Sequence, residues 1–98
     1  MNILAIGSKI TIRKICEEII GKAETINLVD FTNKNYLNWD LSMSNKVKYN
    51  TGDIEKIDTL MKAGLEDSDI VIVHSSTDIE TLFIAQKSKI DTDKFIFM

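Results

Sequence analysis

The chain has 98 residues, of which 44% are hydrophobic and 28% charged, and its formal net charge is −3. These values are typical of one globular domain, here residues 1–98, and exclude a disordered segment. The weak negative charge gives no reason to expect nucleic-acid binding, and no apolar run approaches the ~20 residues of a membrane span. Cys16 is the only cysteine, which excludes an internal disulfide. Because no signal-peptide pattern opens the chain, we expect a cytoplasmic location.

Residues 1–14 predict a buried strand over 2–6 that runs through Gly7 into a helix. This is the place where a Rossmann-type domain holds a nucleotide pyrophosphate. That fingerprint has glycines at three positions, for a tight turn, for close backbone approach and for helix–strand packing. Only Gly7 is present, because Lys9 and Ile12 occupy the second and third positions.

The rest of the first half alternates between helix-like and strand-like patterns. The first helix ends at Gly21, the position after a helix where glycine is favoured. Thr25 to Asp30 predicts a second strand, Asn33 to Ser44 a short helix, and Lys46 to Tyr49 a third strand. The apolar face of the first helix consists of Ile12, Ile15, Cys16, Ile19 and Ile20.

The second half repeats this alternation. Asp53 predicts the cap of a second helix. Ile70 to His74 is a continuous apolar run, typical of a strand buried on both faces. Thr77 and Glu80 predict a capping box for a further helix, and Lys94 to Met98 predicts a fifth strand. The second helix ends near Gly64 and has an apolar face of Ile54, Ile57, Leu60 and Met61.

Strand–helix alternation with short connections predicts a parallel sheet with helices on both faces. The predicted fold is a three-layer, Rossmann-like α/β sandwich whose five parallel strands lie in the order 3-2-1-4-5. Ligands of such sheets bind outside the carboxyl ends of the strands, at the switch point between strands 1 and 4. Two loops meet there, Gly7–Lys9 and Ser75–Thr77.

Several polar residues of these loops are candidates for nucleotide binding. Asp30 ends strand 2 about twenty residues after the fingerprint, where a carboxylate accepts hydrogen bonds from ribose hydroxyls. An aspartate at a strand end also caps the next turn, and the sequence leaves both roles open. Ser8 belongs to the loop expected beside the phosphates. The hydroxyls of Ser75 and Thr77 suit phosphate or ribose, and equally suit the cap of the next helix.

Lys9 stands where a phosphate normally touches the backbone. Its ammonium would either donate to a displaced phosphate or fill the phosphate site, and we favour a weakened or lost pyrophosphate site. Cations near a helix N-terminus are unfavourable by about a few tenths of a kcal/mol, unless an anion binds there. Arg13 and Lys14 have a second interpretation, as solvated residues that pair with Glu17 and Glu18.

No residue pattern predicts catalysis or a metal site. His74 is the only histidine, and no second histidine, paired cysteine or carboxylate cluster gives it a metal or an acid–base partner. A serine nucleophile would need an adjacent base. We therefore expect that the protein is not an enzyme. Tyr36 and Trp39 are expected to anchor their segment to the sheet.

Four features follow one another along the chain: Gly7, Asp30 at the end of strand 2, Gly52–Asp53 after strand 3, and residues 63–69 (AGLEDSD) before strand 4. This order resembles the RCK N-terminal domain, also called TrkA-N, over essentially the whole chain. That family forms cytoplasmic regulatory subunits or gating rings of potassium channels and Trk/Ktr transporters. The resemblance implies a regulatory domain that senses NAD(H) or ATP, ADP or AMP, with Asp53 near the adenine pocket. The cofactor-binding residues would be Gly7, Ser8, Lys9, Asp30, Asp53, Ser75 and Thr77.

The resemblance also implies partners, namely further copies of the chain and the cytoplasmic side of a membrane potassium transporter or channel, without insertion into the membrane. Family domains continue into a sixth strand and a helix, so we expect this chain to be truncated after strand 5. The apolar edge at 95–98 then favours self-association.

Two further hypotheses come from other functional classes. A degenerate domain that binds no nucleotide and serves assembly with partners is the alternative, because Lys9 and Ile12 alter the phosphate loop. A fragment of a nicotinamide-dependent dehydrogenase is compatible with the fold alone, but 98 residues leave no room for a substrate domain.

Overall fold

The computed structural model describes residues 1–36, 39, 45–74, 77, 79, 81, 84–85 and 95–97. Between the fourth and fifth strands, residues 79, 81, 84 and 85 are helical. Glu80 of the predicted capping box and most of 37–44 lie outside the described residues. The elements are β1 (Asn2–Ile6), α1 (Ile10–Ile19), β2 (Thr25–Asp30), a 3-10 helix (Asn33–Tyr36), β3 (Val47–Thr51), α2 (Ile57–Lys62), β4 (Ile70–Val73) and β5 (Phe95–Phe97).

The strands form one parallel sheet in the order β3-β2-β1-β4-β5, which confirms the predicted order. β1 lies at the centre and pairs Ile6 with Val29 on one side and with Val73 on the other. Strands covered on both faces read as apolar runs, because every side chain is buried. Residues 3–6 and 71–73 follow this rule. The carboxyl ends of β1, β2 and β4 therefore lie side by side.

Apolar cores cover both faces of the sheet, which confirms the predicted three layers. Tyr36 and Trp39 are buried against one face, edge to face, with ring centroids 4.8 Å apart, so they anchor their segment as predicted. The α1 side of the sheet contains Ile3, Ala5, Ile12, Cys16, Ala23, Ile26, Leu28, Tyr36, Trp39 and Ile72. The α2 side contains Leu4, Ile6, Val29, Ile54, Leu60, Ala63, Leu65, Val71, Val73, Ile84 and Ala85.

The two helices begin differently. α1 begins at Ile10, directly after the glycine turn, whereas α2 begins only at Ile57. The prediction that Asp53 caps α2 is therefore wrong. Asp53 instead closes a turn of its own, in which Oδ1 accepts from the N–H of Glu55 at 3.1 Å and the carbonyl accepts from the N–H of Lys56 at 3.0 Å. This local turn uses the aspartate before the helix starts.

The helices also end differently, although each is followed by a glycine. Gly64 has a φ of 101°. The N–H of Leu65 donates to the carbonyl of Leu60 and the N–H of Gly64 to that of Met61, both at 3.1 Å, which is the Schellman motif. Gly21 occupies the predicted position after α1, but its φ is not positive, so its backbone does not require glycine.

Candidate functional site

The turn after β1 is held from two sides. Gly7 has a φ of 107°, in the left-handed region that favours glycine. Its N–H donates to the carbonyl of Val29 at 2.8 Å, and its carbonyl accepts from the buried hydroxyl of Tyr36 at 2.8 Å. β2 and the 3-10 helix therefore fix this backbone, and they place Ser8 and Lys9 at the carboxyl edge of the sheet.

The start of α1 presents unpaired N–H groups. The carbonyl of Lys9 accepts from the N–H groups of Ile12 and Arg13, at 3.0 and 3.2 Å. The N–H groups of residues 9–11 have no acceptor within the part of the chain that the structure describes. The first turn contains no acidic side chain, and Lys9 makes no side-chain cap. Such a helix start attracts an anion, because its free N–H groups and the helix dipole act together.

Asp30 is the most connected side chain of the site, and it is only 6% exposed. Its Oδ2 accepts from the hydroxyl of Ser8 and from the amide of Asn35, the latter at 2.9 Å. Its Oδ1 accepts from the N–H of Phe31 at 2.8 Å. Its main-chain carbonyl accepts from the N–H of Gly52 at 3.0 Å. We call Ser8, Asp30, Asn35 and the Phe31 N–H the Asp30 network.

The network bears on both predicted roles of Asp30. The bonds from Phe31 and Asn35 confirm that the carboxylate caps the following turn. Ribose binding stays a prediction, and the bond from Ser8 brings the candidate carboxylate into contact with the candidate phosphate loop.

The two altered fingerprint positions have opposite environments. Lys9 is exposed and forms no ion pair among the described residues. Ile12 is fully buried in the core on the α1 side. The third glycine position is thus part of the core, where the side chain stabilises packing. Arg13 pairs with Glu17 at 2.9 Å, as the local interpretation predicts.

The remaining predicted residues lie around this centre. Asp53 is half-buried in its own turn, next to the Gly52 that contacts Asp30. Thr77 is exposed, and its carbonyl accepts from the N–H of Thr81 at 3.0 Å. Ser75 lies outside the described residues. His74 extends the pairing of β4 with β1, because its N–H donates to the carbonyl of Ile6 at 3.1 Å.

Three residues of the site were not predicted from the sequence: Phe31, Asn35 and the hydroxyl of Tyr36. Phe31 is 51% exposed directly after Asp30, and an apolar residue that follows a candidate ribose aspartate is a signal that could have been used. The bonds of Asn35 and Tyr36 leave no periodic pattern in the sequence, because each joins a loop to a distant backbone or carboxylate group.

Two buried acids are kept in their protonated form. Burial, and secondarily the charge of Asp30, raises the pKa of Tyr36, which keeps its hydroxyl as a donor to Gly7. Burial, and secondarily Glu17, raises the pKa of Cys16 to about 12. Neither group is a base or a nucleophile near neutral pH.

Within the described ranges, no three His, Cys, Asp or Glu residues are grouped so that they could hold a metal ion. Among the same residues, no helix has the length and apolar character required to cross a bilayer.

Comparison with known proteins gives a likeness of fold among solved structures. No protein-family model matches the chain, and no curated protein matches it. The apo, histidine-tagged saccharopine dehydrogenase (L-Glu forming) of Saccharomyces cerevisiae superposes with a TM-score of 0.70 and 21% identity. The match covers 97% of this chain and 20% of the dehydrogenase. The chain has a Rossmann-like fold. The resemblance to the RCK N-terminal family stays a prediction.

The match is short relative to the dehydrogenase and low in sequence identity. The chain spans about a fifth of the length of the dehydrogenase. At 21% identity, the likeness concerns the fold alone. Function has to be argued from the Asp30 network and the start of α1.

Proposed function

We propose that this domain binds an adenine nucleotide at the carboxyl ends of β1 and β2 and acts as a regulatory, nucleotide-sensing domain. The observation that carries the proposal is the contact of the buried Asp30 carboxylate with Ser8 of the glycine loop. Beside this contact, residues 9–11 present unpaired N–H groups. A carboxylate for ribose hydroxyls thus lies next to donors for a phosphate.

Lys9 narrows the class of nucleotide. A pyrophosphate that is seated against the loop needs a glycine there for close approach, and the Cβ of Lys9 narrows that space. A terminal phosphate at the start of α1 does not need this approach, and the exposed ammonium of Lys9 adds charge there. AMP, whose single phosphate is terminal, therefore fits better than ADP, ATP or NAD(H), which all contain a pyrophosphate and remain further ligands of the proposal.

Phe31 supplies an apolar surface for the base. It is 51% exposed and follows the aspartate that would hold the ribose. Stacking on an aromatic ring is a common way to hold a base without reading its edges. In the same pose, Asp53 lies near the base, as the family resemblance implies.

The regulatory role and the partners rest on the resemblance described above. In this proposal the domain assembles with further copies through the β5 edge and acts on the cytoplasmic side of a potassium transporter or channel. In this proposal the domain works by binding and not by catalysis.

A second candidate function is a domain that binds no nucleotide and serves assembly. One observation favours it: the carboxylate of Asp30 already accepts three hydrogen bonds from the protein. A carboxylate that is satisfied internally loses those bonds when a ligand replaces them, which lowers the gain from binding.

Calorimetric titration with AMP, ADP, ATP and NADH separates the two candidates. Binding to the wild type is expected, and Asp30→Asn should weaken it by about tenfold or more, because a charged acceptor of ribose hydroxyls is lost. Asp67→Asn is the matched control, since Asp67 is exposed at the opposite, amino edge of the sheet. Equal affinity of Asp30→Asn and wild type would contradict the pose. No binding of any of the four would favour the assembly domain.

A further inference from the structure

We propose that Tyr36 is the positioning residue of the glycine loop, because its hydroxyl holds the peptide between Gly7 and Ser8 so that the N–H of Ser8 faces the phosphate of the ligand. The proposal rests on the proposed function, since it concerns the same site. It goes further by assigning a phosphate donor, the N–H of Ser8, and the side chain distant in sequence that orients this donor.

The carbonyl of Gly7 is held on the buried side of the loop. It accepts from the hydroxyl of Tyr36 at 2.8 Å, and the ring of Tyr36 is buried in the core on the α1 side. Trp39 and Tyr49 pack against this ring, with ring centroids 4.8 and 5.4 Å away. Burial raises the pKa of Tyr36, so the hydroxyl stays protonated and donates. A group that is fixed in the core therefore sets the direction of this carbonyl.

The same bond sets the direction of the next N–H. The peptide between Gly7 and Ser8 is trans, and a trans peptide points its C=O and its N–H in opposite directions. The N–H of Ser8 thus points away from the ring of Tyr36, and it has no acceptor in the described part of the chain. Together with the unpaired N–H groups of residues 9–11, it forms a run of successive donors. Such runs of backbone N–H groups in a turn bind anions.

The opposite orientation of this peptide would work against an anion. Glycine adopts backbone conformations that other residues avoid, so Gly7 allows the following peptide to rotate. A rotated peptide would place the carbonyl oxygen of Gly7 where the N–H of Ser8 now lies, and this oxygen would repel a phosphate. In the wild type, the rotation would leave the buried hydroxyl of Tyr36 without its acceptor, which is unfavourable. Tyr36 therefore favours the orientation that presents a donor.

The test is a comparison of AMP with adenosine by calorimetry. The phosphate preference is the Kd of adenosine divided by the Kd of AMP, and contacts to the ribose and the base cancel in this ratio. In Tyr36→Phe, which keeps the ring and removes the hydroxyl, the ratio should fall by about tenfold, as expected for the loss of one hydrogen bond to a charged group. Trp39→Phe is the matched control, because it changes the packing of the same ring and leaves the hydroxyl in place. It should keep the wild-type ratio.

A second measurement needs only the wild type. In an NMR titration with AMP, the amide proton of Ser8 should move downfield, because it becomes the donor to a phosphate oxygen. Inorganic phosphate should move the same signal in the same direction. Urea denaturation of Tyr36→Phe and Trp39→Phe shows that both variants are folded under the conditions of the calorimetry.

The other outcomes separate this inference from the proposed function. AMP binding with the wild-type ratio in Tyr36→Phe, or a Ser8 amide signal that stays in place at saturating AMP, refutes the positioning role and leaves the proposed function intact. An equal fall of the ratio in Trp39→Phe also overturns the positioning role, because packing of the ring and not its hydroxyl would then be responsible. Absence of AMP binding in the wild type refutes the proposed function and this inference together.

Discussion

The two strand–helix–strand units of the sheet have the same layout but hold their loops differently. In the first unit, β1–α1–β2, the loop after Gly7 is fixed by Val29, Tyr36 and the Asp30 network. In the second unit, β3–α2–β4, the loop after Gly52 is closed by the local turn of Asp53. Each glycine N–H donates to a carbonyl of β2. Beyond this shared contact, side chains distant in sequence hold the first loop, and the loop's own aspartate closes the second.

This difference separates a loop that is suited to a ligand from one that is complete by itself. The first loop leads directly into α1 and leaves N–H groups unpaired at its start. In the second loop, Asp53 caps its own turn before α2 begins. Asp30 and Asp53 thus differ in role, because Asp30 is buried among hydrogen-bond donors and Asp53 caps its own turn.

The largest expected effect concerns the altered fingerprint of the first unit. Ile12→Gly should lower the free energy of unfolding by about 4 kcal/mol, since it removes a fully buried side chain and places glycine inside a helix. Lys9→Gly should change it by less than about 0.5 kcal/mol, because Lys9 is exposed and glycine is accepted at an N-cap. Urea denaturation measures both.

The two variants also differ in what they reveal about the glycine fingerprint. Only Lys9→Gly tests whether phosphate access was lost, and in that case it should raise the affinity for AMP. Equal stability of Ile12→Gly and wild type would show that α1 does not pack on the sheet as described.

The second prediction compares the two aspartates. Asp30→Ala should lower the free energy of unfolding by about 2–3 kcal/mol, because three donors lose a buried charged acceptor. Asp53→Ala should lower the free energy of unfolding by only about 0.5–1 kcal/mol, because it removes one local cap. Thermal and urea unfolding of the two variants, in parallel with wild type, give the difference. A similar loss in the free energy of unfolding for both variants would show that the two loops are not held differently.

Strand order and core could be predicted from the sequence because burial constrains residue type along every strand. Runs such as residues 70–73 are apolar throughout because both faces are covered. The start of α2 could not be predicted, because an aspartate that caps a turn and one that caps a helix give the same local pattern.

The position of the site could be predicted from the sequence, but its side-chain hydrogen bonds could not. Parallel strands bring their carboxyl ends together, so Gly7 and Asp30 were expected to be neighbours. The bonds from Ser8 and Asn35 to Asp30 depend on side-chain positions that no periodicity encodes. The donation of Tyr36 to Gly7 depends likewise on burial of a ring that the sequence marks only as apolar.

The smallest expected effect concerns the glycines that follow the two helices. Gly64→Ala should lower the free energy of unfolding by about 1–2 kcal/mol, because its φ of 101° strains an L-residue and its new Cβ would lie 3.1 Å from Nδ2 of Asn27. Gly21→Ala should raise it by about 0.5 kcal/mol, since a Cβ there meets no atom within 4 Å and the unfolded chain loses entropy. Urea denaturation of both variants under one set of conditions measures the opposite signs. A loss of stability in Gly21→Ala would show that the first unit needs its glycine as the second does, and the two helix ends would then be equivalent.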